Sequence, residues 1–219
     1  LNLYGNLLSA YSSYAAHRDY VDTYDDPFHP EALTTGRIRL SEAVVAPFKR
    51  ENVLSLDVLP MLGLMTLSGL SVDDWKAVGG YFRRDQVDLF GLTVSPAAGL
   101  GAQLGIAALM TTATAVWEEL LYRGVSLEVN GPVYSSVTFG LAHLPNMLVP
   151  GVSIEDTLLQ TFFAGAFGFY AADRVVQKGY HLERMITLHF WNNILGIILK
   201  FMSSPDEEPG FFIRYKFLY

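Results

Sequence analysis

Long stretches without charged residues dominate the chain. A helix needs about 20 apolar residues, with a range of ~17–25, to cross a bilayer core about 30 Å thick. Residues 89–117 and 129–154 carry no Asp, Glu, Lys or Arg and reach that length. Shorter apolar stretches fit membrane helices and buried helices of soluble proteins equally well. Residues 157–172 and 185–199 are short for a full span. Residues 1–16 are also uncharged, and residues 52–72 carry only Asp57.

The pattern predicts six helices and an all-α fold. They cover about 2–16, 53–71, 89–127, 133–148, 154–176 and 183–203. Ser95-Pro96 is expected to break the third helix near its start, because the residue before proline disfavours helical geometry. Ser71 and Asp74 have the spacing of a capping box, which predicts a surface helix near 72–79. A further short helix is expected after Ser41.

The charged residues gather in the connectors between these stretches, which leaves little polar surface to cover a soluble globule. We therefore expect a polytopic transmembrane bundle of about six helices, an integral multi-pass membrane protein; a soluble all-α domain is the alternative. Residues 1–52 would form an N-terminal helix and polar connector, 53–203 the membrane core and 204–219 an aromatic tail. Glycine-rich runs in 91–108 and 164–172 would let helices approach closely.

Basic residues are distributed unevenly between the two predicted ends of the bundle. The connectors 17–52 and 173–184 together carry eight Lys or Arg, and the other end carries five or six, depending on Lys200. Because cytoplasmic loops carry the excess of basic residues, the first end is predicted to be cytoplasmic.

Composition narrows the function classes. Hydrophobic residues make up 51% and charged residues 17% of the 219-residue chain, which excludes a disordered protein. The net charge of -7 argues against a nucleic-acid partner, since such proteins present basic faces. No cysteine is present, which excludes disulfides, thiol catalysis and cysteine-ligated zinc.

One cluster of acids stands at the end of the longest uncharged run, in the sequence WEELLYRG at 117–124. Glu119 and Arg123 are four residues apart, so one helix face can hold them as an ion pair. Glu118 points elsewhere and has no local partner, which suits a general base. The alternative is a helix end that emerges among lipid headgroups with ordinary surface acids.

Two histidines occur inside other apolar segments, where polar side chains are functional candidates. In FGLAHLPN, His143 shares a helix face with Phe139, and Pro145 predicts a bend just beyond it. In HFWNN, His189 and Asn193 share a face and Asn192 lies beside them. Each group alone fits a satisfied interior residue or an interhelical hydrogen bond. Together with Glu118, they predict one polar pocket between packed helices.

These three motifs resemble the CPBP family of intramembrane proteases, also called the Abi family. The family includes type II CAAX prenyl endopeptidases and bacteriocin-processing or immunity proteins. The motif-bearing part covers about 89–200, and WKAVGGYFRR at 75–84 is similar to the polar segment that often precedes the first motif. The resemblance implies a helical bundle around a water-filled cavity, and hydrolysis of a peptide bond near the membrane.

The resemblance also implies roles for individual residues. Glu118 matches the acid that activates water, His143 the histidine that assists it, and His189 with Asn193 the pair that stabilises the oxyanion. Glu119 and Arg123 match supporting positions, and Asn192 is placed with them. No cofactor is favoured; zinc held by Glu118, His143 and His189 is the alternative, although the HExxH spacing of soluble zinc proteases is absent.

The prediction is therefore a membrane-embedded endopeptidase, of CAAX-protease type, acting on a peptide or protein substrate that carries a lipid in that case. Membrane lipids are expected partners and nucleic acid is not. The first alternative is a non-catalytic scaffold or bacteriocin-immunity protein with the same fold. The second is a transporter or metal-binding channel, which would need carboxylates on several helices, whereas the acids here are clustered on one.

Overall fold

The computed structural model describes residues 38–68, 71–148, 153–179 and 181–203, together with the isolated Ser12 and Ala15. This part of the chain is mostly helical. The α-helices are α1 (Leu40–Val45), α2 (Arg50–Val53), α3 (Leu59–Ser68), α4 (Val72–Gly80), α5 (Pro96–Glu119), α6 (Leu127–Leu141), α7 (Ile154–Gln177) and α8 (Glu183–Ser203). Strands β1 (Val87–Leu89) and β2 (Leu92–Val94) form an antiparallel hairpin. Short 3-10 turns cover Ala46–Phe48, Tyr81–Arg83 and Leu144–Leu148, and a π-helical segment covers Leu120–Ser126.

Helix α5 begins where Ser95-Pro96 predicts a break. The Ser95 hydroxyl accepts a hydrogen bond from the Ala98 amide at 3.3 Å, and Pro96 occupies the first turn, where its missing N–H costs nothing. The prediction that the helix starts at residue 89 is wrong, because residues 87–94 form the hairpin. Its turn holds Phe90 and Gly91 at φ 56° and 79°, and glycine tolerates that conformation best.

The predicted third and fourth helices form one helical run with two irregularities. The π-helical segment Leu120–Ser126 follows α5 directly and continues into α6. Inside α6, Gly131 has φ 81° and ψ 172°, and Pro132 follows it. This non-helical residue bends the run just before residue 133, where the sequence predicts a new helix.

Helices α6 and α7 lie against each other through glycines. A Cβ atom added at Gly140 would lie 2.9 Å from the Thr161 carbonyl oxygen, and one at Gly168 would lie 3.0 Å from the Ser136 Cα. The small residues predicted in 164–172 therefore do allow close approach. In the other glycine-rich run, a Cβ at Gly101 would meet open space within the described residues.

Helix α8 is the centre of the fold. It packs along α5 and against the turn Ala46–Phe48. The Thr187 hydroxyl donates to the Ala46 carbonyl at 2.9 Å, and the Trp191 indole donates to the Pro47 carbonyl at 2.7 Å. These bonds fix the rotation of α8, and with it the direction in which its polar residues point.

The predicted surface helix after Ser71 is confirmed as α4. The Ser71 hydroxyl accepts from the Asp74 amide at 3.1 Å, and the Asp74 carboxylate accepts from the Ser71 amide at 3.0 Å, which completes the capping box. Hydrogen bonds from the Ser71 side chain and then its backbone hold the pKa of Asp74 below its ordinary value.

Among the described residues, two helical stretches are long and apolar enough to cross a membrane, Pro96–Leu148 and Glu183–Ser203. The helix predicted over 53–71 is shorter than expected, since α3 has ten residues, about 15 Å. The helix over 183–203 is confirmed, and that over 154–176 corresponds to α7. The predicted helix 2–16, most of the connector up to residue 37 and the tail 204–219 lie outside the described residues. The six-span bundle and the domain boundaries stay predictions.

The contact between α6 and α7 predicts a sharp difference between two identical substitutions. Gly140→Ala places a methyl group against backbone atoms that cannot rotate away, so we expect a loss of about 1–3 kcal/mol of stability. Gly101→Ala, also inside a helix but facing open space, should be neutral or slightly stabilising, because alanine is the better helix former. Thermal unfolding in detergent measures both, and equal effects would contradict this packing.

Candidate active site

The two adjacent acids are buried in the protein interior. Glu118 and Glu119 are the last residues of α5, with 3% and 0% exposure. The alternative of surface acids in the headgroup region is therefore wrong. Burying two carboxylates is costly unless compensating groups face them.

Glu119 and Arg123 form the predicted ion pair. The Arg123 Nη1 donates to Glu119 Oε1 at 3.2 Å, and both side chains are fully buried. The guanidinium lies over the Phe139 ring at 4.1 Å and faces the Phe167 ring at 5.3 Å, measured to the ring centroids. Arg123 is thus held by one carboxylate and two aromatic faces, an arrangement that favours arginine over lysine.

His189 connects α8 to both acids. Its Nδ1 lies 2.8 Å from Glu119 Oε1, and its Nε2 lies 3.4 Å from Glu118 Oε2. Since a carboxylate accepts, Nδ1 carries the proton in the first contact. Glu118 has no partner on its own helix, as predicted, but it lies next to His189 of α8. The first and third motifs therefore meet.

His143 reaches the same place from the end of α6. The helix ends at Leu141, so His143 lies in the turn after it, and its Nδ1 donates to the Phe139 carbonyl at 2.8 Å. Its ring is 5.1 Å from the Phe139 ring, and that ring is 5.9 Å from His189. Phe139 is thus a wall shared by both imidazoles, and the second motif joins the other two.

The amides complete the buried set on α8. Asn193 is 8% exposed and lies one helical turn beyond His189, whereas its neighbour Asn192 is half-buried. Within the described residues neither amide makes a hydrogen bond. Asn193 is therefore a buried donor and acceptor on the helix that presents His189.

Two contributors to this site carried no sequence signal. Phe167 comes from α7, an apolar run rich in small residues, and its ring lies 5.5 Å from His189. Ser135 is fully buried and donates to the Tyr122 carbonyl at 2.6 Å. That carbonyl belongs to the π-helical segment. The packing of α7 against α6 brings Phe167 to Arg123 and His189, and the Ser135 bond joins α6 to the π-helical segment.

The residues do not fit a zinc site in this arrangement. Glu118 Oε2 and His189 Nε2 face each other at 3.4 Å, and the described residues contain no group of three His, Asp or Glu side chains placed to hold a metal. A metal bound through Glu118 would also occupy the carboxylate that the sequence predicts to be the base. The metal-free site stays a prediction, and no step below uses a metal.

The buried ion pair predicts a strong and non-additive effect on stability. Arg123→Met leaves Glu119 facing only His189, so we expect a loss of about 3–5 kcal/mol. The double variant Glu119→Gln, Arg123→Met should recover part of that loss, because the uncompensated charge is gone. Unfolding in detergent measures the cycle, with Arg83→Met in the exposed turn as control. A double variant less stable than Arg123→Met alone would contradict the pairing.

Comparison with known proteins adds one finding. Residues 100–195, less than half of the chain, match the family model described as Type II CAAX prenyl endopeptidase Rce1-like. No curated protein and no solved structure matches the chain. The matched family is a membrane-embedded protease family, and the matched range contains Glu118, His143, His189 and Asn193. Residues 100–195 are thus similar to the Rce1-like family of CAAX prenyl endopeptidases, and the predicted resemblance is confirmed.

Proposed function

We propose that this chain is a multi-pass intramembrane endopeptidase of CAAX-protease type that hydrolyses a peptide bond with a water activated by Glu118. The observation that carries the proposal is the position of His189, whose two ring nitrogens face Glu118 and Glu119. A structural histidine needs one partner. An imidazole between two buried acids, beside a second histidine, instead forms a proton-handling group.

We assign Glu118 as the base because Glu119 is committed to Arg123 and His189, whereas Glu118 has no ion pair with Arg123. Glu119 Oε1 is held by both Arg123 and His189. Glu118 Oε2 is fully buried and makes no hydrogen bond to any described residue, although His189 Nε2 lies nearby. A buried oxygen without a bond is costly, so a water molecule there would be bound and oriented.

The position of His189 assigns it to the oxyanion in this proposal. Its Nδ1 donates to Glu119 Oε1, and its Nε2 lies on the Glu118 side, where it would donate to an oxygen that develops negative charge. The Asn193 amide, one turn farther along α8, would be the second donor.

His143 would orient the water. Because its Nδ1 donates to the Phe139 carbonyl, a neutral ring carries its lone pair on Nε2. That nitrogen would accept a hydrogen bond from one O–H of the water, while Glu118 removes the proton of the other O–H. The absence of cysteine, and of any serine paired with these histidines in the described residues, leaves water as the nucleophile.

The proposed reaction conserves its protons. Glu118 removes a proton as the water oxygen attacks the scissile carbonyl carbon, and His189 with Asn193 donates hydrogen bonds to the oxyanion. The tetrahedral intermediate collapses with cleavage of the C–N bond, and Glu118 returns its proton to the leaving amine. The substrate is a peptide or protein, and prenylated proteins are the class on which the matched family acts.

Loss of the base predicts loss of turnover without loss of fold. In detergent, with prenylated and unprenylated peptides as substrates, Glu118→Gln should lower kcat by about 10²–10⁴-fold. Asn193→Ala should lower it by about 10²–10³-fold. The control is Glu155→Gln, the same substitution at an exposed acid of α7. Full activity of a folded Glu118→Gln protein would remove Glu118 from the mechanism.

The arrangement of Glu118, His143 and His189, which does not fit a zinc site, predicts that peptidase activity does not depend on a metal ion. Dialysis of the purified protein against a strong chelator should leave cleavage unchanged, and elemental analysis should find much less than one metal per chain. One tightly held zinc equivalent, with activity lost on its removal, would show that Glu118, His143 and His189 rearrange into a ligand set.

A further inference from the structure

A polar pocket of about 320 Å³ lies apart from the acids, at the end of the bundle where α7 finishes and α8 begins. Three segments distant in sequence line it, around residues 49–57, 174–178 and 181–185. They bring together four cations, Lys49, Arg174, Lys178 and Arg184. No step of the proposed hydrolysis uses any of them.

One buried carboxylate lies among these cations. Asp57 is 7% exposed and accepts a hydrogen bond from Arg184. Arg174 and Lys178 place nitrogens 3.9 and 4.0 Å from its carboxylate oxygens. Tyr170 donates to the Asp57 carbonyl at 2.6 Å and so fixes this residue to α7. A single negative charge is thus shared by three positive ones.

The other acids do not cancel this excess. Glu51 and Glu183 also line the pocket, but Glu51 is exposed and Glu183 lies 3.9 Å from His181. Arg174 has a second bond to Asp173 on the exposed side of α7. Lys49 makes no ion pair with any described residue. Around the buried Asp57 carboxylate, the partly exposed cations Arg174, Lys178 and Arg184 therefore outnumber the single anion.

The position of the pocket indicates what occupies it. It lies at the first turn of α8, one of the stretches long enough to cross a membrane, and so at the expected depth of lipid headgroups. Its segments belong to the connectors that the excess of Lys and Arg assigns to the cytoplasmic side, where anionic lipids are concentrated. Exposed apolar side chains lie close in sequence to its lining residues: Leu54, Leu56 and Leu59 near Asp57, and Val176 near Arg174.

We propose that this pocket binds the phosphate group of an anionic membrane phospholipid. Arg174 and Arg184 offer planar forks suited to phosphate oxygens, and Lys49 and Lys178 add mobile point charges. The exposed leucines provide a surface for the acyl chains. Met185 lines the pocket one turn before His189 on α8, so the bound lipid would brace the start of the helix that carries His189.

The test is a binding measurement that needs no peptidase activity, so its outcome is separate from that of the proposed function. The full chain is placed in nanodiscs of phosphatidylcholine, and the retention of added phosphatidylglycerol is measured by native mass spectrometry. Lys49→Gln, Lys178→Gln is the test variant, because it leaves the Asp57–Arg184 pair intact. Arg83→Gln, an exposed cation at the opposite end of the bundle, is the matched control.

Phosphatidylglycerol should be retained over phosphatidylcholine, and each lysine removed should weaken retention by about 5-fold. Glu51→Gln should strengthen it, and Arg83→Gln should leave it unchanged. Equal retention of both lipids, or equal loss in the control and the double variant, would overturn the proposal. Inorganic phosphate that binds the detergent-solubilised chain with the same variant dependence, and displaces the lipid at equal concentration, would overturn the lipid assignment in favour of a free anion.

Discussion

The burial of two adjacent carboxylates inside an apolar helical body is the constraint on which the site depends. Neither acid can be held there by its own helix alone. Glu119 is compensated by Arg123, one turn away, and both acids are faced by His189 from a helix that is 70 residues distant in sequence. The aromatic faces of Phe139 and Phe167 then exclude solvent from the guanidinium. The same contacts that make the charges tolerable also fix the geometry that hydrolysis requires.

This constraint explains why the helices are packed as they are. Gly140 and Gly168 bring α6 and α7 together closely, which places Phe139 and Phe167 around Arg123 and the two histidines. The turn Ala46–Phe48 binds α8 through side-chain donors and sets its rotation. The side chains of the candidate site come from four helical segments, so their relative positions depend on these close contacts between the segments.

The sequence predicted which residues lie together at the candidate site more accurately than it predicted where the helices begin and end. The uncharged run 89–117 ends at Glu118, so Glu118, Glu119 and Arg123 stood out as a group. The i, i+4 spacing of Glu119 and Arg123 predicted their ion pair. The hairpin at 87–94 was missed because its residues after Asp88 carry no charge and continue directly into the apolar run of the next helix. Phe167 and Ser135 were invisible because a phenylalanine or serine in an apolar run has no periodicity that distinguishes a wall of the site from a lipid-facing residue. The contact of Glu118 with His189 is tertiary, and no local spacing encodes it.

The link between α5 and α8 has a consequence for biogenesis. Ribosomes release α5 long before Glu183–Ser203 has been made, so both acids leave the translation machinery without their imidazole. Arg123 is synthesised only four residues after Glu119 and neutralises it, which lowers the free-energy cost of burying α5 before α8 is made. The other acid stays uncompensated until the last described helix docks. Full compensation of the two buried acids therefore requires α8, the last helix of the described residues to be synthesised.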